Sequence, residues 1–60
     1  MTITQAQYDA LIEIAENGER FKANELNIRP QTVEAIAKRG WIEVINGYAF
    51  VTGKAWAELA

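Results

Sequence analysis

Residues 26–42 have the sequence LNIRPQTVEAIAKRGWI, which predicts a short turn, one helix and the exit from that helix. Pro30 suits the first position of a helix because its φ is fixed and it has no amide hydrogen to lose. Gly40 is the usual type of residue just past a helix end, since glycine adopts a left-handed backbone without strain. The helix is therefore expected to run from about Pro30 to Arg39.

The two sides of this helix differ in chemistry. Val33, Ile36 and Ala37 lie on one face because they are spaced i, i+3 and i+4. That face is expected to pack on the rest of the domain. The remaining side is left to contact a partner, and it carries Gln31, Thr32, Glu34, Ala35 and Lys38.

A second, very short helix is predicted directly before it, over Ala23-Asn24-Glu25-Leu26. Asn27 ends this helix, because asparagine tolerates the left-handed conformation that a sharp turn requires. Two helices joined by a tight turn form a helix-turn-helix motif.

The chain resembles the small winged helix-turn-helix regulators over roughly residues 4–60. The segments that match the turn, the recognition helix and the strand entry of that family are Leu26-Asn27-Ile28, Thr32-Val33 and Arg39-Gly40-Trp41-Ile42. Val51-Thr52 and Leu59 are similar to the end of the wing and the closing helix. The chain departs from the family pattern at three positions, with Asn27 and Ala55 where Gly is common and Arg29 where a capping Ser is common.

The resemblance implies a DNA-binding transcriptional regulator or phage-type accessory factor that places residues 30–39 in the major groove of double-stranded DNA. Gln can bond adenine, Arg or Lys can bond guanine, and the methyl groups of Thr and Ala can touch thymine. The expected base contacts are Arg29, Gln31, Thr32, Ala35 and Lys38. The expected phosphate contacts are Arg20, Lys22, Arg39 and Lys54.

The first helix has the best-marked start in the sequence. Thr4 followed by Gln7 predicts a capping box, and Asn17-Gly18 predicts a left-handed exit, so the helix should span about residues 5–17. Phe21, shortly after this exit, is expected in the core. The predicted apolar stripe of the helix is Tyr8, Leu11, Ile12 and Ala15.

A β-hairpin is predicted after Gly40, because Asn46-Gly47 favours a type I′ turn between two apolar runs, residues 41–45 and 48–52. The turn sets the register, in which Ile45 faces Tyr48. One sheet face, expected to pack on the helices, then carries Ile42, Val44, Ala49 and Val51. The other face carries Trp41, Glu43, Ile45, Tyr48, Phe50 and Thr52.

This second sheet face is unusually apolar for a surface in contact with water. Its aromatic side chains either complete the small core or form a protein contact or dimer interface. Thr52 is expected to cap a closing helix over residues 53–60, which brings Trp56 near the same face. The candidate interface residues are Trp41, Ile45, Tyr48, Phe50 and Trp56.

Composition predicts one small globular domain over residues 1–60, because half of the 60 residues are apolar. The predicted elements make this domain mainly α-helical with a small β-hairpin, a winged helix-turn-helix of three helices, a two-stranded wing and a short C-terminal helix. The chain has no Cys and no His. We therefore expect no enzyme, no metal site, no cofactor and no small-molecule ligand. No apolar run approaches the ~20 residues that span a bilayer, so we expect a cytoplasmic protein without a membrane partner.

The charge is unevenly distributed along the chain. Residues 1–19 carry four carboxylates and no Lys or Arg, whereas residues 20–60 carry all six cations and four carboxylates. The acidic first helix could therefore face away from a polyanion. However, the overall charge is −2 and the predicted hairpin tip has no basic residue. These two features favour the alternative function, a winged helix that contacts proteins and has little intrinsic affinity for DNA.

Overall fold

The first helix of the computed structural model, which describes residues 3–59, begins at the predicted capping box. The Gln7 N–H donates to Thr4 Oγ1 at 3.1 Å, and the Thr4 N–H donates to Gln7 Oε1 at 3.2 Å. These bonds satisfy backbone donors that the first helical turn leaves without partners. The helix, α1, spans Gln5–Asn17, as predicted.

Residues 3–59 contain three α-helices, one short 3₁₀ helix and one two-stranded antiparallel sheet. The domain is therefore mainly α-helical with a small β-hairpin, as predicted. The second predicted helix is shorter than expected, because its 3₁₀ turn leaves Leu26 outside. Residue 60, the predicted end of the closing helix, lies outside the described part of the chain. After α1 the elements are the 3₁₀ helix (Ala23–Glu25), α2 (Pro30–Lys38), β1 (Ile42–Ile45), β2 (Tyr48–Val51) and α3 (Gly53–Leu59).

The exit from α1 differs from the prediction. Gly18 has φ −62° and ψ −24°, which is right-handed helical backbone that any residue can adopt. Its lack of a side chain is needed for another reason: a Cβ there would collide with the carbonyl oxygens of Ala49 and Ile14. Glycine at this position therefore allows the end of α1 to approach the backbone of β2.

The exit from α2 is the left-handed turn that the sequence predicts. Gly40 has φ +76°, its N–H donates to the Ala37 carbonyl at 3.0 Å, and the Trp41 N–H donates to the Ile36 carbonyl at 3.1 Å. This pair of bonds defines a Schellman motif. Trp41 and Ile36 are both fully buried, which supplies the apolar contact that accompanies such an exit.

The hairpin has the predicted register, with Ile45 paired to Tyr48 and Ile42 paired to Val51. Asn46 and Gly47 have φ of 53° and 86°, as a type I′ turn requires.

Thr52 joins the hairpin to both neighbouring helices. Its N–H donates to the Trp41 carbonyl at 2.9 Å, and its Oγ1 donates to the Gly40 carbonyl at 2.7 Å. The same Oγ1 accepts the Ala55 N–H at 3.4 Å, which confirms the predicted cap of α3.

The core is smaller than the sequence predicts. Tyr8, Phe21 and Val44, which the sequence pattern places inside, are 42%, 46% and 49% exposed. Leu11 is buried as predicted, but Ala15 is exposed, since α1 is rotated so that Ala10 and Ile14 face inward. The buried apolar residues among those described are Ala10, Leu11, Ile14, Leu26, Ile36, Trp41, Ile42, Ala49 and Ala55.

We predict that Gly47→Val lowers the free energy of unfolding by about 1–3 kcal/mol, because a β-branched residue is strained at positive φ. A Cβ at Gly47 would make only ordinary contact with Lys22, so the strain is confined to the backbone. Thermal denaturation measures the effect, with Gly47→Asn as the matched control because Asn tolerates this backbone. Equal melting temperatures for the wild type and Gly47→Val would show that the turn lies elsewhere.

We also predict that Gly18→Ala destabilises the domain by about 1–3 kcal/mol, because the added methyl group displaces backbone at the α1–β2 contact. Gly53→Ala is the control, since nothing lies within 4 Å of a Cβ at that glycine. Alanine also favours helix by up to about 1 kcal/mol over glycine, so the control should be neutral or stabilising. Denaturant unfolding compares the two variants, and an equal response would exclude the close approach.

Candidate nucleic-acid interface

The outer face of α2 brings together three of the five predicted base contacts. Gln31, Ala35 and Lys38 line one shallow groove together with Glu34. Gln31 and Lys38 are exposed and Ala35 is half-buried. Glu34 Oε1 lies 3.8 Å from Lys38 Nζ, and both side chains are more than two-thirds exposed, at 72% and 77%. This outer face can therefore offer an amide, a methyl group, an ammonium and the Glu34 carboxylate to a ligand.

The other two predicted base contacts, Arg29 and Thr32, lie on a different side of α2. They line a groove between α1 and α2, which also contains Asp9 and Glu13 of α1. Arg29 occupies the N-cap position of α2 without making a side-chain cap, as its replacement of the usual Ser implied. The structure thus divides the predicted base contacts into two surfaces rather than one.

The acidic side of α1 does not face wholly away from α2. Asp9 and Glu13 are one helical turn apart and line the same groove as Arg29, so two carboxylates lie beside the start of α2. They favour a cationic group there and repel phosphates. The charge distribution along the sequence does not predict these carboxylates beside α2, because their position depends on how α1 packs on α2.

A cluster of cations lies at the opposite end of α2. Lys38, Arg39 and Lys54 line one depression of about 300 Å³, together with Trp41 and Glu58. Arg39 Cζ lies 4.8 Å from the centre of the Trp41 ring, within the range of a cation–π interaction. Two of the predicted phosphate contacts, Arg39 and Lys54, are therefore adjacent. The depression lined by all five residues is called the basic depression below.

The hairpin tip acquires a cation from a distant part of the sequence. The Ala23 N–H donates to the Gly47 carbonyl at 2.8 Å, and the aliphatic stem of Lys22 packs beside Gly47. Lys22, a predicted phosphate contact, thus lies at a tip that has no basic residue of its own. The tip is fastened to the 3₁₀ helix, and Arg20 is exposed in the loop before it.

Trp41 is predicted at a protein interface, but it is 2% exposed and belongs to the core. The reason is the tight turn at Gly40, which directs the ring against the end of α2. The other predicted interface residues are accessible to solvent: Ile45, Phe50 and Trp56 are exposed, and Tyr48 is half-buried. Phe50 and Trp56 line one groove between α1, β2 and α3, here called the aromatic groove, with Ile14, Ala15, Glu19, Ala49 and Val51.

Residues 3–59 contain no group of three or more His, Cys, Asp and Glu side chains placed to hold a metal ion. In the same residues, no helix has the length and apolar character needed to cross a membrane.

The chain matches no known protein family, no curated protein and no solved structure.

Proposed function

We propose that this chain is a winged helix-turn-helix domain that binds double-stranded DNA through α2 and acts in the cytoplasm as a transcriptional regulator or phage-type accessory factor. The observation that carries the proposal is the outer face of α2, where Gln31, Ala35 and Lys38 share one shallow groove on a helix that follows a tight turn. A helix presented in this way fits the major groove, whose base edges offer partners for amide, methyl and ammonium groups.

The phosphate contacts follow from where the cations lie. The basic depression adjoins the last turn of α2 and includes Lys38, so it can bind the backbone beside bases that Gln31 and Ala35 contact. Lys22 supplies one cation at the hairpin tip. Because each neutralised phosphate contributes a slope of about −0.9 in log K against log salt, a few contacts give weak, strongly salt-dependent binding.

An NMR titration of the labelled domain with random-sequence duplex DNA tests the proposal directly. At low salt we expect shift changes at Gln31, Ala35 and Lys54 that fade at moderate salt, and none at Ala15 in the aromatic groove. An absence of shifts at low salt, or shifts confined to the aromatic groove, would contradict the proposal.

The second candidate function is a protein-interaction module, and one observation favours it. Phe50 and Trp56 are 38% and 50% exposed in the aromatic groove, where two aromatic rings can anchor a partner. The carboxylates Asp9 and Glu13 beside α2 also suit a partner other than DNA.

We predict different effects for substitutions at the outer face and in the basic depression. Gln31→Ala should change the sequences selected from a random duplex pool, since a bidentate base contact discriminates by about 1–3 kcal/mol. Lys54→Gln, as the matched phosphate variant, should weaken all sequences alike and reduce the salt slope by about 0.9. Binding selections and salt titrations measure both effects. Equal losses on every sequence for both variants would reject base contact by Gln31.

We further predict that Asp9→Asn combined with Glu13→Gln raises the affinity for random duplex DNA severalfold. A charge ~10 Å from a phosphate contributes about 0.4 kcal/mol in water, before salt screening. The control is Glu16→Gln with Glu19→Gln, which makes the same charge change on residues that do not line the α1–α2 groove. Fluorescence anisotropy at one salt concentration compares the pairs. An equal gain in affinity for the two pairs would mean that only net charge matters, and would contradict the placement of DNA beside α2.

A further inference from the structure

The strand β1 has a free edge. In a hairpin closed by a two-residue turn, Ile45 and Tyr48 form a hydrogen-bonded pair, and hydrogen-bonded pairs then alternate along the ladder. The bond from Thr52 to Trp41 fits this alternation. The backbone groups of Ile42 and Val44 therefore point away from β2. Outside the hairpin, Val44 has no backbone hydrogen bond to any residue between 3 and 59.

The outer edge of β2 is covered, in contrast to that of β1. Gly18 lies against the Ala49 carbonyl, and Ala23 donates to Gly47 at the tip. The segment after α1 thus occupies the β2 side of the sheet. On the β1 side, α2 covers only the base of the strand, since Ile42 is 5% exposed and Val44 is 49% exposed.

The side chains of β1 give this edge little protection. Proteins usually guard an open edge strand with Lys, Pro or a bulge, because unpaired backbone groups invite another strand. The strand has the sequence IEVI, with one carboxylate and no cation or proline. Ile45 is as exposed as Val44, at 49%.

We propose that β1 pairs antiparallel with β1 of a second copy of this chain about a two-fold axis, giving a continuous four-stranded sheet. Val44 of each copy lies opposite Val44 of the other, and their outward N–H and C=O groups form the central hydrogen bonds. This association is independent of DNA binding and uses none of the residues in the outer face of α2 or the basic depression.

The charge on the strand selects the register of the pairing. The outward backbone groups of Ile42 and Val44 allow two antiparallel registers, one that pairs Ile42 with Val44 and one that pairs Val44 with Val44. Pairing Ile42 with Val44 of the other copy would place Glu43 directly opposite Glu43, which is unfavourable. Pairing Val44 with Val44 places Glu43 opposite Ile45 instead. In this register two copies of the strand can pair about a two-fold axis through their outward backbone groups without a like-charge contact.

The matched variants are Val44→Lys and Ile45→Lys, which introduce the same cation at two equally exposed positions. In the proposed pair, the two ammonium groups introduced by Val44→Lys would lie directly opposite each other, and the dimer should weaken by about fivefold. The ammonium introduced by Ile45→Lys would lie opposite Glu43 of the other copy, so this variant should dimerise at least as well as the wild type. Sedimentation equilibrium over a wide concentration range measures the dimer, and circular dichroism confirms that each variant is folded.

Two measurements on the wild type do not depend on any variant. The Val44 amide should exchange more slowly with solvent as the protein concentration rises. In a mixed sample of labelled and unlabelled protein, isotope-filtered NMR should show an intermolecular contact between the Hα protons of Glu43 and Ile45, whose Cα atoms would be about 4.5 Å apart.

Opposite results overturn the proposal. A wild type that remains monomeric at the highest soluble concentration would exclude the pairing. Dimerisation lost in Ile45→Lys but kept in Val44→Lys would assign association to the sheet face that carries Ile45, Tyr48 and Phe50. Either result leaves the DNA titration unaffected, so the two proposals fail separately.

Discussion

The structure depends on the burial of Trp41 at the exit of α2. The positive φ of Gly40 turns the chain so that the Trp41 N–H bonds Ile36 and the ring enters the core. The Trp41 carbonyl then accepts from Thr52, whose hydroxyl donates to Gly40 and caps α3. The end of α2, the base of the hairpin and the start of α3 are thus fixed by a few residues. In a domain with so small a core, these contacts carry a large part of the net stability.

The features that could be predicted from the sequence are those decided within a few residues. The capping box of α1, the limits of α2 and the type I′ turn each depend on local backbone preferences, and the structure has all three. The errors concern contacts between distant segments. The prediction of a left-handed backbone at Gly18 is wrong. Glycine is needed there because the backbone of β2 leaves no room for a side chain. Phe21 is expected in the core because it is apolar, but no local pattern indicates how the segment after α1 crosses the sheet.

The candidate site shows the same limit. Periodicity places Gln31, Ala35 and Lys38 on one helix face, and they do share one groove. Periodicity cannot indicate that α1 brings Asp9 and Glu13 beside Arg29, or that Lys54 joins Arg39 around Trp41, because both depend on helix packing. The prediction for Val44 is wrong for a related reason. Its alternation with Ile42 indicates the core side of the sheet, but the helices do not extend far enough to cover it.

These placements constrain how the domain can gain affinity for DNA. The hairpin tip is bonded to Ala23, so it cannot extend along the duplex as a long free wing. The proposed binding then rests on α2, the basic depression and Lys22, whose few cations can neutralise only a few phosphates per copy. A second copy would double the slope of log K against log salt, and the proposed pairing at Val44 would supply that copy through residues other than Gln31, Lys38 and Lys54. The aromatic groove shares no residue with either surface and stays open to a protein partner. The surfaces proposed for DNA contact, self-association and protein contact therefore share no residue, so substitutions can test each proposal separately.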